Sequence, residues 1–259
     1  MADADAIAAY LDELLSTSDV PDYPNALNGL QLGSRGGGLV SHVATAVDFS
    51  SATVDEAIAL GANMLVVHHG MFWGGPQQIT GIAFDRLAKL IEHRIAVYSS
   101  HLPLDAHAEV GNNVLLARLL GLSPDSGFAR FKTLDIGVSG ASDVETSALA
   151  DRARAFAAAH GGSVICTPSA PGRRTRRWGI CTGAGADSET IQEASTRGID
   201  TLIVGEGPHH TAVQARDRGL VIIYAGHYAT ETLGVRALGE RVARQFSVTA
   251  TFIDAPTGL

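Results

Sequence analysis

The sequence predicts an α/β protein made of two βα-wound lobes, and three observations support that class. Short apolar segments alternate with helical segments along most of the chain, as in parallel sheets covered by helices. Three of the apolar segments end in histidine or within two residues of one. A stretch rich in Ser, Pro, Asp and Gly between residues 121 and 130 interrupts the alternation. We therefore expect an N-terminal lobe over residues 1–125 and a C-terminal lobe over residues 126–259.

In the N-terminal lobe, amphipathic and apolar segments follow one another in a βα rhythm. Helices are predicted over residues 3–15, 53–60, 84–93 and 112–120, and strands over residues 28–33, 43–47, 63–69 and 95–100. The helix at Thr53 is expected to open with a capping box formed by Thr53 and Glu56. The Asn28–Gly29 pair fits either a plain turn or a role in lining a site.

The C-terminal lobe repeats the rhythm. Strands are predicted over residues 133–138, 163–167, 179–182, 201–204, 220–225 and 248–253, and helices over residues 144–160, 188–197, 211–218 and 230–246. The basic cluster Arg173–Arg177 falls in a predicted turn. It fits either a solvated turn or a local contact with phosphate or nucleic acid.

Composition limits the classes of function. The chain has 259 residues, 46% of them hydrophobic, and a formal net charge of −8, which argues against a broad nucleic-acid surface. No apolar stretch reaches the roughly 20 residues of a membrane span, and the N-terminus lacks the pattern of a signal peptide. With only two cysteines, a reduced compartment is favoured. We therefore expect a cytoplasmic protein that does not contact membranes.

Histidines mark the ends of three predicted strands. The segment 63–69 ends in His68 and His69, the segment 95–100 leads into His101, and the segment 220–225 leads to His227. Ligands of open α/β sheets bind beyond the carboxyl ends of the strands, so these side chains are expected to meet in one cleft. Carboxylates follow two of these histidines after four residues, namely Asp105 and Glu231. Imidazole and carboxylate groups together suit a divalent metal.

The number of candidate ligands favours two metal ions. His227 and Glu231 lie four residues apart where a helix is expected to begin, so both can face one ion. His101 and Asp105 have the same spacing, but Pro103 disfavours a helical conformation at Leu102, so a loop is expected to bring them together. Four imidazoles and two carboxylates exceed one tetrahedral site and suit a bridged pair of divalent ions. The ligand set accepts Zn, Fe, Mn, Co or Ni.

Five motifs resemble the GTP cyclohydrolase 1 type 2 homologues, the Nif-three-like dinuclear-metal-centre proteins. They are NGLQLG (28–33), HHGMFW (68–73), SSHLPLDAHAEVGNN (99–113), VGEGPHH (204–210) and AGHYATE (225–231). Their order and spacing match the short form of that family over nearly the whole chain. The resemblance implies the same metal ligands, His68, His69, His101, Asp105, His227 and Glu231. It also implies a ring-shaped homohexamer of two-lobed protomers whose metal sites face an inner cavity. One departure is Gly70, where members of the family often have proline.

Two further residues follow from the match. Glu206 and His210 come after a predicted strand, and the resemblance places them near the metals. They fit either a proton-transfer or ligand-supporting role, or an ordinary loop and helix cap. Gly183-Ala184-Gly185 contains part of a phosphate-loop pattern but lacks the full fingerprint.

The function that the sequence favours is metal-dependent hydrolysis. Two divalent ions would activate a water and polarise the bond that it attacks. The resemblance suggests a nucleotide substrate such as GTP, with water attacking the imidazole carbon of guanine and Glu206 or His210 moving the proton. The alternative is a non-catalytic metal-binding ring that serves as an interaction scaffold, with Arg173–Arg177 as a contact surface.

Overall fold

The computed structural model describes residues 1–33 and 38–259, which form two compact units. Unit 1 consists of Met1–Leu104 and Gly234–Ala255, and unit 2 consists of Asp105–Leu233 and Pro256–Leu259. Each unit combines a sheet with helices, so the predicted α/β class is confirmed. Among the described residues, no helix combines the length and apolar composition that crossing a bilayer requires.

The chain begins in unit 1. Its elements there are β1 (Ala2–Asp3), α1 (Ala4–Leu15), β2 (Gly29–Leu32), β3 (Leu39–Val40), β4 (His42–Asp48), α2 (Ser51–Ala59), β5 (Met64–His69), α3 (Ile82–Glu92), β6 (Ala96–Ser99) and the short helix α4 (Leu102–Asp105), whose last residue belongs to unit 2. Helix α2 is capped by Ser50 and Thr53, so it begins earlier than the predicted capping box of Thr53 and Glu56. The hydroxyl of Thr53 reaches back to the Ser50 N–H at 2.9 Å and thus takes the part expected of an acidic residue.

Unit 2 contains the following part of the chain. Its elements are α5 (Asn112–Leu119), β7 (Ser126–Phe131), β8 (Leu134–Glu145), α6 (Thr146–Ala158), β9 (Ile165–Cys166), β10 (Arg174–Cys181), α7 (Ser188–Thr196), β11 (Thr201–Val204), α8 (His209–Asp217) and β12 (Val221–Tyr224). Helix α9 (His227–Phe246) then leads from unit 2 back into unit 1, where β13 (Thr249–Phe252) completes the regular elements.

The main sheet of unit 1 has the order β13-β4-β5-β6-β2 among the described residues. The four strands from β13 to β6 are parallel, and β2 is antiparallel to β6. Strand β5 is buried at every position, as expected of a strand covered on both faces. Val67 pairs with Ser99, so the carboxyl ends of β5 and β6 lie side by side. This register sets the positions of the histidines that end or follow these strands.

The sheet of unit 2 has the order β7-β8-β10-β11-β12-β9 among the described residues. Strands β10, β11 and β12 are parallel, and the strands on either side of them are antiparallel. Trp178, Ile180, Ile203 and Ile223 are completely buried in a core that also includes Leu149. The parallel centre brings the carboxyl ends of three strands to the same edge of the sheet.

The division into units differs from the predicted lobes. The predicted boundary after residue 125 falls within unit 2, and the expected loop there contains strand β7. The C-terminal strand β13 pairs in parallel with β4, with Phe252 opposite Thr45, and therefore belongs to unit 1. The sequence indicates that such a strand exists, but its partner lies about 200 residues away along the chain and leaves no local signal.

The arginine-rich segment is a strand rather than the expected turn. Arg174 begins β10, which pairs with β8, and the exposed side chains of Arg174 and Arg176 form ion pairs with Asp143. Arg173 donates to the carbonyls of Asp200 at 3.0 Å and Gly219 at 2.8 Å. These three side chains are engaged within unit 2, which favours the structural interpretation of the cluster over phosphate binding.

We predict that Gly137→Ala destabilises unit 2. A Cβ atom at this buried position in β8 would run into the carbonyl oxygen of Ile180 and lie 3.2 Å from that of Phe128, and neither backbone atom can rotate away. The free energy of unfolding should fall by about 1–3 kcal/mol. Urea unfolding followed by circular dichroism measures the change. Gly162→Ala is the control, because the nearest atom to its Cβ is at 3.4 Å; equal effects of the two substitutions would contradict the packing of β8 and β10.

Candidate metal centre

Unit 1 brings three of the predicted ligands together. His68 and His69 end β5, and His101 follows β6 at the start of α4. All three side chains are buried, and one ring nitrogen from each lies within 4.8 Å of the others. Imidazoles this close, buried and chemically identical are suited to sharing a cation.

Both histidines of the pair lie within β5, at its carboxyl end, as the predicted strand over residues 63–69 implies. Asp48 is opposite His69 in the parallel ladder, and the N–H of Phe49 donates to the carbonyl of His69 at 2.9 Å. Adjacent residues of a strand normally point to opposite faces. Here the ring centroids of His68 and His69 are nevertheless 4.8 Å apart and tilted by 52°.

The short helix α4 contradicts the loop that was expected between His101 and Asp105. Leu102 is helical although Pro103 follows it, and the N–H of Leu104 donates to the carbonyl of His101 at 3.0 Å. Proline is tolerated in the first turn of a helix because its missing N–H has no partner there in any case. One helical turn therefore sets the four-residue spacing of these two candidate ligands.

The Nδ1 atom of each ring in unit 1 is held by a hydrogen-bond acceptor. The distances are 2.9 Å from His68 to the Ser100 carbonyl, 2.8 Å from His69 to the Asp48 carboxylate and 2.9 Å from His101 to the Asp22 carboxylate. Because these oxygens accept, each ring carries its proton on Nδ1 and directs Nε2 as the nitrogen able to ligate. A second hydrogen bond of this kind is the usual support of metal-binding histidine.

Asp22 anchors His101 and the start of α4. Its carboxylate also accepts from the N–H of Leu102 at 2.9 Å and from the amide of Asn28 at 2.8 Å. Burial opposes its ionisation, but the hydrogen bond and charge of His101, with the hydrogen bonds from Asn28 and from the N–H of Tyr23, outweigh it and lower the pKa of Asp22. The carboxylate therefore stays ionised and holds the imidazole in place.

Asn28 supports the site through hydrogen bonds and is not itself a candidate ligand. Its side-chain oxygen accepts from the N–H of His101 at 2.8 Å while its amide donates to Asp22. Of the two alternatives for Asn28–Gly29, the structure thus favours the one connected with the site. Gly29, at a φ of 108°, opens the strand that follows.

Gly70 allows the segment after the histidine pair to approach β2 and β6. A Cβ atom there would overlap the amide of Gln31 and lie 2.6 Å from the hydroxyl of Ser99. Gln31 in turn accepts from the N–H of Met71 at 2.7 Å and donates to the carbonyl of Ala26 at 3.0 Å. The departure from proline at position 70 therefore accompanies a tight contact, in which a side chain at this position would displace Gln31 or Ser99.

Aromatic rings cover one side of the three histidines. The ring centroid of Trp73 lies 4.3 Å from that of His101 and 4.7 Å from that of His69. Tyr23 lies 6.0 Å from His101 and meets Trp73 edge to face at 6.3 Å. The tryptophan is partly accessible, so it forms a flat apolar wall beside polar ligand atoms.

Unit 2 contains the other three predicted ligands. Helix α9 begins at His227, three residues before its predicted start, so His227 and Glu231 lie on one face of its first turns. The His227 Nε2 atom is 3.2 Å from the Glu231 carboxylate, and its Nδ1 atom is 2.7 Å from the Glu206 carboxylate. The fourth histidine thus shows the same support through Nδ1 as the three of unit 1.

The carboxylates around His227 favour a cation there. Burial lowers the pKa of His227, but the hydrogen bonds and charges of Glu231 and then Glu206 outweigh it and raise the pKa to about 9. In the metal-free protein the stability that this contact supplies is fully present below the ordinary pKa of 6.5 and is lost as the pH rises through about 9. A metal ion would replace this proton with another positive charge.

Two glycines make room for the first turn of α9. A Cβ atom on Gly183, whose φ is 61°, would run into the Glu231 carboxylate. A Cβ atom on Gly205 would lie 2.8 Å from both the His227 Cα atom and the Thr230 hydroxyl. The N–H of Gly183 donates to that hydroxyl at 3.1 Å. The partial phosphate-loop pattern at Gly183 therefore has a different explanation, the close approach of the carboxyl ends of β10 and β11 to α9.

Asp105 is fixed by amide and hydroxyl groups. It accepts from the side chain of Asn112 at 2.8 Å and from the hydroxyl of Thr182 at 3.5 Å. Burial, followed by the charges of Asp105, Asp187 and Glu231, raises the pKa of the neighbouring Cys181 thiol.

The proposed proton carriers differ in their surroundings. Glu206 contacts the ring of His227 and is 46% exposed at its side chain, so its first role is to orient that ring. His210 is exposed in the first turn of α8.

The sequence did not predict Asp22, Asp48, Gly183 and Gly205 as supporting residues. Asp48 directly follows a predicted strand, which is a usable signal, whereas the sequence around Asp22 offers none.

Comparison with known proteins gives a consistent result over the whole chain. The family model described as Duf34/NIF3 (NGG1p interacting factor 3) matches residues 2–257. A protein of Halobacterium salinarum named GTP cyclohydrolase 1 type 2 homolog is 41% identical over 258 residues and is matched over 99% of both chains. The Escherichia coli K12 protein of the same name is 37% identical over 253 residues, covering 95% of both chains.

Solved structures show the same fold. The protein ybgI, described as of unknown function, superposes with a TM-score of 0.88 at 34% identity over the full length of both chains. TTHA1606 from Thermus thermophilus gives a TM-score of 0.85 at 34% identity, again over both full chains. Reduced HcgD from Methanocaldococcus jannaschii gives 0.84 at 21% identity over 98% of both chains, a likeness of fold alone.

We predict that Asp22→Asn weakens zinc binding at the histidines of unit 1. The substitution removes the charge that orients His101, and its amide would face the donors of Asn28 and Leu102. Loss of such a supporting hydrogen bond typically costs about 10- to 100-fold in metal affinity. Competition with a chromophoric chelator measures the affinity. Asp19→Asn, an exposed position in the same loop, should bind zinc as the wild type does; equal affinities of all three proteins would refute the role of Asp22.

We predict that Gly183→Ala lowers metal occupancy in unit 2, because its Cβ atom displaces the Glu231 carboxylate. The control is Gly172→Ala, which imposes similar backbone strain at a φ of 71° but meets no atom within 4 Å. Elemental analysis after dialysis should show less metal in the first variant only. Equal metal content of the two variants would mean that Glu231 tolerates displacement or does not bind metal.

Proposed function

Because the chain belongs to the Duf34/NIF3 family, we propose that it is a metal-dependent hydrolase that binds two divalent ions per chain. The proposed ligands are the three histidines of unit 1 and the three residues of unit 2 described above, namely His68, His69, His101, Asp105, His227 and Glu231. The names of the relatives favour a nucleotide such as GTP as the substrate.

One observation carries the metal assignment. All four candidate histidines have Nδ1 at 2.7–2.9 Å from an oxygen acceptor, so all four would offer Nε2 to an ion. A histidine that is buried only for packing also needs a hydrogen bond, but that bond need not always use Nδ1. Three of the four acceptors are carboxylates, which make the imidazoles more basic and better ligands.

The donor set fits a pair of ions better than one. Four neutral imidazoles and two carboxylates supply more ligands than a closed tetrahedral site takes, and a carboxylate such as Glu231 can bridge two cations. Mixed nitrogen and oxygen ligands accept Zn, Fe, Mn, Co or Ni, so availability decides the native metal.

When bound, two divalent ions supply an activated water and polarise the bond under attack. The residues of the chain would do the rest. Glu206 holds His227 in position, and its exposed carboxylate or His210 would carry the proton. Trp73 would exclude water from one side of the histidines and offer a face on which a purine base can stack. With GTP, attack at the imidazole carbon of guanine would begin ring opening.

Glu231→Gln tests the dinuclear site. The variant keeps the shape of the side chain but loses its charge, so two neighbouring cations would repel each other with less compensation and the weaker one should dissociate. We expect metal content to fall from two equivalents to about one, with the chain still folded by circular dichroism. Glu240→Gln on the exposed face of the same helix is the control. Two full equivalents in Glu231→Gln, or only one in the wild type, would reject the proposal.

Turnover separates the proposed enzyme from a metal-binding scaffold. Purified protein would be assayed against a panel of nucleotides with and without added metal, with Glu231→Gln as the inactive reference. Hydrolysis that requires both metal and Glu231 supports the enzyme. Full metal content without turnover would favour the non-catalytic ring.

We also propose that the chain forms a closed ring of six copies. The support is the resemblance to the family, and closed rings follow from a repeated interface between identical chains. Light scattering should give the mass of six chains at every concentration tested. A monomer mass over a wide concentration range would contradict this assembly.

A further inference from the structure

Unit 1 contains an apolar cavity of about 740 Å³ beside helix α3. Ten of its fourteen lining residues are apolar, and Phe49, Met71, Phe72 and Leu87 are among them. The volume lies within the range of about 300–1,000 Å³ that is typical of small-molecule sites. No proposed metal ligand lines this cavity.

Two of the polar lining groups already have partners within the chain. The amide of Gln31 accepts from the N–H of Met71 and donates to the carbonyl of Ala26. The amide of Asn25 donates to the carbonyl of Trp73. These side chains shape the wall, and the donors that they use internally are not available to a ligand.

Arg86 differs from these amides. Its Nη1 atom donates to the carbonyl of Phe49 at 3.3 Å, and its guanidinium lies 4.9 Å from the centroid of the Phe49 ring. The Nε atom is buried and has no hydrogen-bond partner among the described residues. Because this Nε atom is inaccessible, a ligand in the cavity would pair with a terminal nitrogen of the guanidinium, and Nη2 makes no hydrogen bond among the described residues. Arg86 is the only cation among the lining residues.

We propose that this cavity binds a small amphipathic monocarboxylate, with its apolar body inside and its carboxylate on Arg86. A wholly apolar ligand would cover the guanidinium charge of Arg86 without pairing it, which is costly. A nucleotide is a poorer fit, because its phosphates need several cations or free N–H groups and the lining provides one cation. The site is separate from the proposed metal centre and does not depend on its function.

The exposed neighbours of the cavity suggest one rival occupant. Ile79 lines the cavity and is 58% exposed, and Ile82 and Phe84 on α3 are exposed as well. A second copy of the chain could cover such residues. Only the carboxylate ligand, however, uses the positive charge of Arg86, so charge discriminates between the two occupants.

Octanoate and its uncharged counterpart 1-octanol are the probes. Both would be titrated into the metal-free full chain by isothermal titration calorimetry. We expect octanoate to bind once per chain and more tightly than 1-octanol, and Arg86→Met to weaken it by about 10- to 100-fold. Arg86→Lys, which keeps the charge without the planar edge, should recover part of the affinity. Lys89→Met removes a positive charge from the same helix outside the cavity and should leave binding unchanged.

A cavity-filling variant locates the apolar body. Ala83→Phe places a ring in the space and should abolish octanoate binding while leaving zinc binding intact. No octanoate binding by the wild type, or equal binding by the wild type, Arg86→Met and Ala83→Phe, would overturn the proposal. A second result would also overturn the proposal. If octanoate bound neither the wild type nor Ala83→Phe, and the mass of Ala83→Phe by light scattering were lower than that of the wild type, the cavity would belong to an interface between copies. Zinc binding is measured separately, so a failure of octanoate binding would not contradict the proposed hydrolase function.

Discussion

The hydrogen bond from imidazole Nδ1 to an oxygen acceptor is the interaction on which both candidate ligand groups depend. It decides the tautomer, since an acceptor-only oxygen requires the proton on Nδ1. It also stops rotation of the ring, because Nδ1 is 2.7–2.9 Å from its partner in all four histidines. Without these acceptors, buried rings would have to satisfy their own polarity in other ways, and the direction of Nε2 would no longer be fixed.

The backbone must approach closely to place such rings, and glycine makes the approach possible in each unit. In unit 1, Gly70 lets the chain pass close to the side chains of Gln31 and Ser99 as it leaves β5. In unit 2, Gly183 lets the end of β10 approach the carboxylate of Glu231. The constraint is steric in both cases, since a single Cβ atom would overlap the Gln31 amide in unit 1 and the Glu231 carboxylate in unit 2.

Much of this arrangement could be predicted from the sequence because its strongest signals are local. A buried strand that ends in histidine predicts where that histidine lies, and the spacing of His227 and Glu231 needs only one helix. The supporting carboxylates are different. Asp22 is 79 residues from His101, and Glu206 is 21 residues from His227, so only tertiary structure reveals these pairs. The pairing of β13 with β4 was missed for the same reason, and with it the bounds of the units.

The histidine group and the Arg86 region of unit 1 differ in their hydrogen-bond partners. They therefore favour ligands of opposite charge. Around the histidines, each Nδ1 donor has a carboxylate or carbonyl acceptor. At Arg86 the guanidinium has one carbonyl partner and a buried Nε atom without one among the described residues. When oxygen acceptors bind the Nδ1 atoms, the Nε2 atoms of the imidazoles are left to bind a cation. In contrast, unpaired guanidinium donors in an apolar wall favour an anion. Since α3 contributes Arg86 but none of the candidate metal ligands, substitutions on that helix can change anion binding without altering the metal ligands.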